Sequence, residues 1–374
     1  MNSVLKSIMD IGLLKEIPQD IFMDLEQIDS GSFSDIFTAT HIKTKTKVVL
    51  KVSIKSNGID FLEKEANIHK CLHHPFICKY FSNFETEHLF IIVMELVEGT
   101  NLLNLVNKHK GLPIQEAQNI FAQLIIVIEY LQEMNISHRD LKLENILIDK
   151  YGHIRMIDFG FSSLKAMMST CCGSVPYCAP EILAGKTYTN SADIWSLGII
   201  LFALLQGYLP FFHKNINVLA LIICNKEVCF PSSMDLIACD LIGKMLVKDP
   251  AKRISIDEIK NHPFIKQNKL FRIDYKKLFS PMSRGNALTG NLPLICGPKK
   301  THKSLNMTKN VFNLSKWRYQ RNMFYMKIRY HSTNEIDLQE QITAQSDNID
   351  DIILRRNDFA LNLNKLIEMA YIKL

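Results

Sequence analysis

The chain has 374 residues, 47% hydrophobic and 22% charged, with a formal net charge of +6. This length suits one large two-lobed unit plus an appendage, and the composition excludes a collagen-like or wholly disordered chain. The nine cysteines are odd in number and scattered, with no paired CxxC units, which excludes a zinc-ribbon pattern and points to reduced thiols.

The leader from Met1 to Ile17 carries Asp10 and Glu16 and lacks the long apolar run of a secretory signal. From Phe22 to Ile92 the pattern is strands interrupted by one helix. Val48 to Val52 is a β-branched run. Phe61 to Leu72 has helical spacing and stops before His74-Pro75. Leu89 to Val93 is a further apolar strand.

After Gly99 the pattern turns helical. Ile114 to Met134 is a long apolar-rich helix entered through Pro113. Asn145 to Asp149 and His153 to Ile157 form a hairpin around Tyr151-Gly152. Ser191 to Leu205 is apolar nearly all round, the mark of a helix buried on every side. The most apolar stretch, Leu197 to Phe212, is broken by Gln206, Gly207 and Pro210 and falls short of the ~20 residues of a membrane span. A cytoplasmic protein with no transmembrane segment is expected. The fold class is α+β: a small β-rich lobe with one main helix (22–95) and a larger α-rich lobe (99–265). A leader (1–21), a basic segment (266–334) and a C-terminal helical segment (335–374) complete the division.

Charge supports that division. Between Tyr275 and Asn334 lie twelve Lys or Arg and no Asp or Glu, whereas from Glu335 onward eight acids face four bases. A mildly acidic body therefore precedes a basic segment and an acidic amphipathic end.

The sharpest motif is His138-Arg139-Asp140-Leu141-Lys142-Leu143-Glu144-Asn145, followed by Asp158-Phe159-Gly160 and Ala179-Pro180-Glu181. Upstream lie Lys51 in a strand and Glu65 in a helix. Each has a plain reading alone: a solvated carboxylate, a surface lysine, an i,i+4 helix partner. As an ordered set they resemble the protein kinase family, serine/threonine type, close to the calcium/calmodulin-dependent and AMP-activated groups, over about Leu25 to Phe264.

The resemblance implies a bilobal kinase fold, ATP with Mg²⁺ (Mn²⁺ as a substitute), and protein substrates. Phosphoryl transfer requires positioning and charge neutralisation more than covalent chemistry. Asp140 accepts the substrate hydroxyl proton and aims that hydroxyl, Lys142 reaches the γ-phosphate, and Asp158 and Asn145 offer hard oxygen ligands to metal. The nucleotide-binding set is Ile28, Gly31, Ile36, Val49, Lys51, Glu65, Met94, Glu95, Val97, Leu147 and Asp158, with Met94 as gatekeeper and Glu95-Leu96-Val97 as hinge. Asp193, in the run Asp193 to Gly198, resembles the buried helix start that props the catalytic loop. Glu181 and Arg253 would form a buried ion pair. Thr170, eleven residues before Glu181, stands where related kinases carry an activating phosphate from an upstream kinase, with Arg139 as its basic partner. Gly173-Ser174 resembles the substrate-binding loop of Ser/Thr kinases and disfavours a small-molecule phosphotransferase.

The pattern breaks in the phosphate-covering loop, Ile28 to Ile36, where only Gly31 of the three glycines remains and Asp29 and Ser34 replace the others. Val49 also adds bulk above adenine. The alternative reading is therefore a pseudokinase scaffold with impaired nucleotide handling. Asn101 and Ala203 stand where basophilic kinases carry acids, so only a weak preference for upstream Arg is expected.

Beyond Phe264, Lys299-Lys300-Thr301-His302-Lys303 and Trp317-Arg318-Tyr319-Gln320-Arg321 mix bases with aromatics. Docking on the kinase body is favoured over an anionic lipid surface, a nucleic acid or another acidic partner, and a solvated basic linker is the plain alternative. Ile349 to Ile372 has helical apolar spacing and suits a packed C-terminal helix.

Overall fold

The computed structural model describes residues 12–30, 34–55, 59–160, 162, 174–186 and 189–272. Gly31, Thr170, Lys299 to Lys303, Trp317 to Arg321 and Ile349 to Ile372 lie outside the described residues.

Five antiparallel strands build the first lobe: β1 (Phe22–Ser30), β2 (Asp35–His41), β3 (Thr46–Ile54), β4 (Tyr80–Glu85) and β5 (Leu89–Glu95), in the order β1-β2-β3-β5-β4. Helix α1 (Ile59–Cys71) enters between β3 and β4. The period of two in β3 assigns its faces. Val48, Leu50 and Val52 pack with Phe22, Phe37 and Leu89 on one side, while Val49 shares the other with Leu62 and Ala66 of α1 and with Met94. Lys51 falls on the Val49 face, toward the second lobe.

A second sheet carries the hairpin around Tyr151-Gly152: β6 (Gly99–Asn101), β7 (Ile146–Asp149) and β8 (Ile154–Met156), in that order. Around it lie α2 (Leu102–His109), α3 (Ile114–Glu133), α4 (Pro180–Leu183), α5 (Ser191–Gln206), α6 (Ile216–Asn225), α7 (Leu236–Met245) and α8 (Ile256–Asn261). Asn101 caps α2, Asn215 caps α6, Asp235 caps α7, and Ser255 with Glu258 closes a capping box on α8. This is the two-lobed α+β architecture implied by the motif order.

Helix α5 is the centre of the large lobe, with Trp195 and Phe202 essentially sealed from solvent. Gly198 lets α7 approach it: a Cβ there would meet Leu246 Cδ2 at 2.8 Å. Buried Gln123 of α3 fastens the β7–β8 turn, donating to Gly152 O (2.8 Å) and accepting from the Ile154 N–H (2.9 Å). Among the described residues no helix is long and apolar enough to cross a membrane.

The two lobes are stitched by Phe76 to Lys79. The Met156 N–H donates to Phe76 O (2.8 Å), the Cys78 N–H to Met156 O (2.9 Å) and the Glu95 N–H to Lys79 O (2.9 Å). This short segment thus touches β8, two residues before Asp158, and the end of β5.

Candidate active site

Lys51 projects from β3 toward α1, where it meets Glu65. Its ammonium donates to Glu65 Oε1 and Oε2 at 2.6 and 2.7 Å and to Asp158 Oδ1 at 3.0 Å. Burial alone would lower the Lys51 pKa, but the Asp158 and Glu65 carboxylates outweigh it and hold the lysine above its ordinary range. Asp158 is held well below the usual carboxylate range: burial pushes it up, and Lys51, then Lys142, more than reverse this. Both partners therefore stay charged.

Asp158 sits at φ 66, a left-handed conformation that a non-glycine residue rarely adopts. Gly160 donates its N–H to Asp158 Oδ1 (3.3 Å), and a Cβ at Gly160 would come within 3.3 Å of Glu65 Oε2. The glycine after Phe159 is thus a matter of room beside the ion cluster.

The loop from His138 to Asn145 is tied from beneath. Asp193, 1% exposed at the start of α5, accepts from Ser137 Oγ (2.8 Å), the His138 N–H (2.9 Å) and the Arg139 N–H (3.0 Å). Arg139 has φ 70, a conformation costing roughly 1–2 kcal/mol, and these bonds hold it. Asp140 follows, with its carboxylate almost fully enclosed. Oδ1 accepts from the Ser174 N–H (2.9 Å) and Ser174 Oγ (3.2 Å), and Oδ2 accepts from Lys142 Nζ (2.7 Å) and Asn145 Nδ2 (3.3 Å). Lys142 also donates to Ser174 Oγ (3.2 Å). Burial lowers its pKa, but the Asp140 carboxylate, with Asp158 and Glu144, more than reverses this and raises it. Asn145 Nδ2 donates to Asp140 O (3.0 Å), so its remaining ligand atom is Oδ1.

The apolar roof places Val49 and Met94, each 8% exposed, in one cluster with Phe90 and Ile92, and Ile36, Leu96 and Val97 pack against it. Leu147 pairs with Asn101 and Arg155 across the second sheet. Glu95 accepts from the Lys79 N–H (3.0 Å) and lies 3.8 Å from Arg155 Nε. Ile28 is 53% exposed. Asp29 Oδ1 accepts from the adjacent Ser30 N–H (2.8 Å), and Gln27 Nε2 bridges Asp29 O and Asp35 Oδ1. Asn101 Oδ1 caps α2 through the Asn104 N–H (2.8 Å).

On the substrate side, Tyr177 donates to Glu144 Oε2 (3.4 Å) and accepts at its carbonyl from Ser196 Oγ (2.8 Å). Glu181 and Arg253 form a bidentate pair at 2.7 and 2.9 Å, with side chains 3% and 0% exposed.

The structure thus brings together Lys51, Glu65 and Asp158, and Asp140, Lys142 and Asn145. Two contacts are absent from the sequence reading. In the sequence Ser174 reads as a loop residue, not as a partner of Asp140. A ring stack also escaped: Phe159 lies between His138 (centroids 5.1 Å) and His69 (5.2 Å), and His69 meets Tyr80 edge-on (5.7 Å). The only signal for His69 is its place one turn after Glu65.

Over residues 22–265 the sequence matches the protein kinase domain family. The chain belongs to that family. It is 39% identical over 242 residues to "SNF1-related protein kinase catalytic subunit alpha KIN12" of Arabidopsis thaliana, covering 63% of this chain and 49% of that protein. It is 38% identical over 247 residues to "Serine/threonine-protein kinase ppk16" of Schizosaccharomyces pombe, covering 64% and 37%. It is 39% identical over 263 residues to "Probable serine/threonine-protein kinase KCC4" of Saccharomyces cerevisiae, covering 65% and 25%. The chain spans half or less of the length of these curated relatives.

Proposed function

We propose that this chain transfers the γ-phosphate of ATP to serine and threonine hydroxyls of protein substrates. The observation that carries the reading is the pairing of two charge clusters: Lys51–Glu65–Asp158, and Asp140–Lys142–Asn145 with Ser174. Lys51, kept charged, orients the α- and β-phosphates while Glu65 fixes its rotamer. Lys142 offsets charge at the γ-phosphate and also holds Asp140, which aims the acceptor hydroxyl and takes its proton. The Asp158 carboxylate and Asn145 Oδ1 are hard oxygen donors that suit Mg²⁺; bound there, the ion neutralises phosphate charge.

Radiolabelled phosphate transfer by wild type and Asp158→Ala tests this. The expected result is transfer to protein by wild type only. No transfer by wild type favours the scaffold alternative, which the replaced glycines support and the intact charge clusters oppose. Transfer confined to metabolites favours a small-molecule phosphotransferase.

Regulation is part of the proposal. Phosphorylation of Thr170 by an upstream kinase, read by Arg139, activates the enzyme. Thr170→Ala should abolish the activation that phosphorylation gives. The basic segment docks on the acidic kinase body, so truncation after Gln267 should change activity at low salt and less at high salt. The scattered thiols support a cytoplasmic location.

A further inference from the structure

Helix α1 must stay against the first sheet for Glu65 to reach Lys51, and beside the packing of Leu62 and Ala66 one buried polar side chain ties it down. His69 follows Glu65 by one turn and is 2% exposed. Its Nε2 lies 2.6 Å from Cys78 O. A carbonyl only accepts, so the imidazole carries its proton on Nε2. The acceptor belongs to the segment that stitches the lobes. Cys78 also donates its own N–H to Met156 O of β8, and the next residue, Lys79, accepts from the Glu95 N–H. On its other side the imidazole packs on Phe159, beside Asp158, and on Tyr80. The ring therefore joins α1 to the segment that is bonded to β8 and β5, to the residue after Asp158 and to the start of β4.

We propose that His69 is a positioning residue whose Nε2–H bond to Cys78 O latches α1 and so keeps Glu65 on Lys51 and Lys51 on Asp158. The proposal rests on the kinase reading only for its activity readout. An apolar side chain of similar volume would fill the space and keep the ring contacts, but it would leave a buried carbonyl without its donor, a desolvation cost beyond the lost bond. The bond also acts where leverage is greatest. It lies on the helix that carries Glu65, and a small displacement there breaks two contacts of 2.6 and 2.7 Å.

Two variants separate the bond from the ring. His69→Phe keeps an aromatic ring on Phe159 and Tyr80 and lacks the donor. His69→Gln keeps an N–H donor and lacks the ring. The latch predicts that His69→Phe lowers kcat about tenfold, the scale of one buried hydrogen bond, with the peptide KM unchanged, and that His69→Gln retains more activity than His69→Phe. In a Glu65→Gln background, His69→Phe should lower kcat no further. The reverse order, with Phe at or above Gln, or an additive loss in the Glu65→Gln background, overturns the latch. Hydrogen exchange of the α1 amides in nucleotide-free protein repeats the comparison without catalysis. Exchange should be fastest in His69→Phe, so failure of the latch and failure of the kinase reading are distinguishable. Nitrogen-15 shifts of the wild-type imidazole need no variant at all: the Nε2–H tautomer is expected, and the Nδ1–H tautomer sinks the proposal.

Discussion

The floor and the roof of the cleft are built on opposite terms. Beneath the cleft, both oxygens of Asp140 are doubly engaged, and the peptide groups before it are held by one buried carboxylate, Asp193. Above it, the end of β1 carries Ile28 exposed, and its register with β2 shifts between Gln27 and Asp29. Asp29 has its carboxylate bonded to its own neighbour. Burial makes the floor rigid because each polar group there must find a fixed partner. That edge of the roof, exposed and short of glycine, lacks that constraint. Substitutions in the floor should therefore change rate, and those in the roof should change affinity.

The largest effect tests the floor directly. Asp158→Ala removes a carboxylate that, with Glu65, keeps Lys51 charged and that would offer Mg²⁺ an oxygen under the proposed function. Loss of such a preorganised charge costs about a thousandfold in kcat. Single-turnover transfer measured beside nucleotide binding would show whether the loss lies in rate. A variant that binds no nucleotide would place Asp158 in the affinity class with the roof.

Next comes the anchor below the substrate loop. Arg253→Met leaves the Glu181 carboxylate buried and uncompensated, and breaking such a pair costs about 3–5 kcal/mol. Replacing Glu181 and Arg253 together by Leu and Met should restore much of that stability. Urea midpoints of the three proteins decide it, and equal midpoints for single and double variants would refute the coupling.

A smaller effect is set by pH. Burial pushes His69 and His74 down to about 4, and it lowers His138 as well. A histidine neutral in the fold and protonated when unfolded destabilises the fold as pH falls from about 6.5 toward 4, because the unfolded chain then binds more protons. Each of His69 and His74 should remove about 2 kcal/mol between pH 7 and pH 5. Glu144, raised by burial, offsets part of this. Asp158, held low, adds its own loss only below its ordinary range. Urea unfolding at the two pH values measures the drop. His74→Phe, away from the cleft, should shrink it by about half of the two-histidine sum; an undiminished drop would assign the acid sensitivity elsewhere.

Legibility in the sequence follows the same divide. Lys51 and Asp158, 107 residues apart, were readable because phosphate chemistry restricts residue type and order at once. The hairpin around Tyr151-Gly152 and the buried helix at Ser191 were readable from turn residues and apolar density. The β3 run Val48 to Val52 was readable as a strand but not as two faces. Its residues are nearly all apolar, so only packing tells that Lys51 shares a side with Val49. His69 was opaque for a related reason. In the run of His69, His73 and His74 before Pro75 it reads as a helix end, and its partners, Cys78 O and Phe159, are chosen by tertiary geometry alone. Ser174 was visible as a type of loop, while its bond to Asp140 depends on how that loop returns.

The smallest effect bears on the roof. Asp29 stands where a backbone must come close to phosphate, and its carboxylate takes the Ser30 N–H, a donor otherwise free to face an anion. A fixed negative charge and a spent donor act in the same direction, against nucleotide affinity. Because the group is exposed, solvent screens it, and the penalty stays small. Asp29→Gly should therefore lower the KM for ATP by about two- to fivefold at low salt, with kcat nearly unchanged and the gain shrinking as salt rises. Asp29→Asn separates the two causes. It removes the charge and keeps an oxygen for Ser30, so a full gain in Asn assigns the effect to charge, and no gain assigns it to the captured N–H. A large change in kcat in either variant would mean that the roof, like the floor, helps set the rate, and the contrast between them would fall.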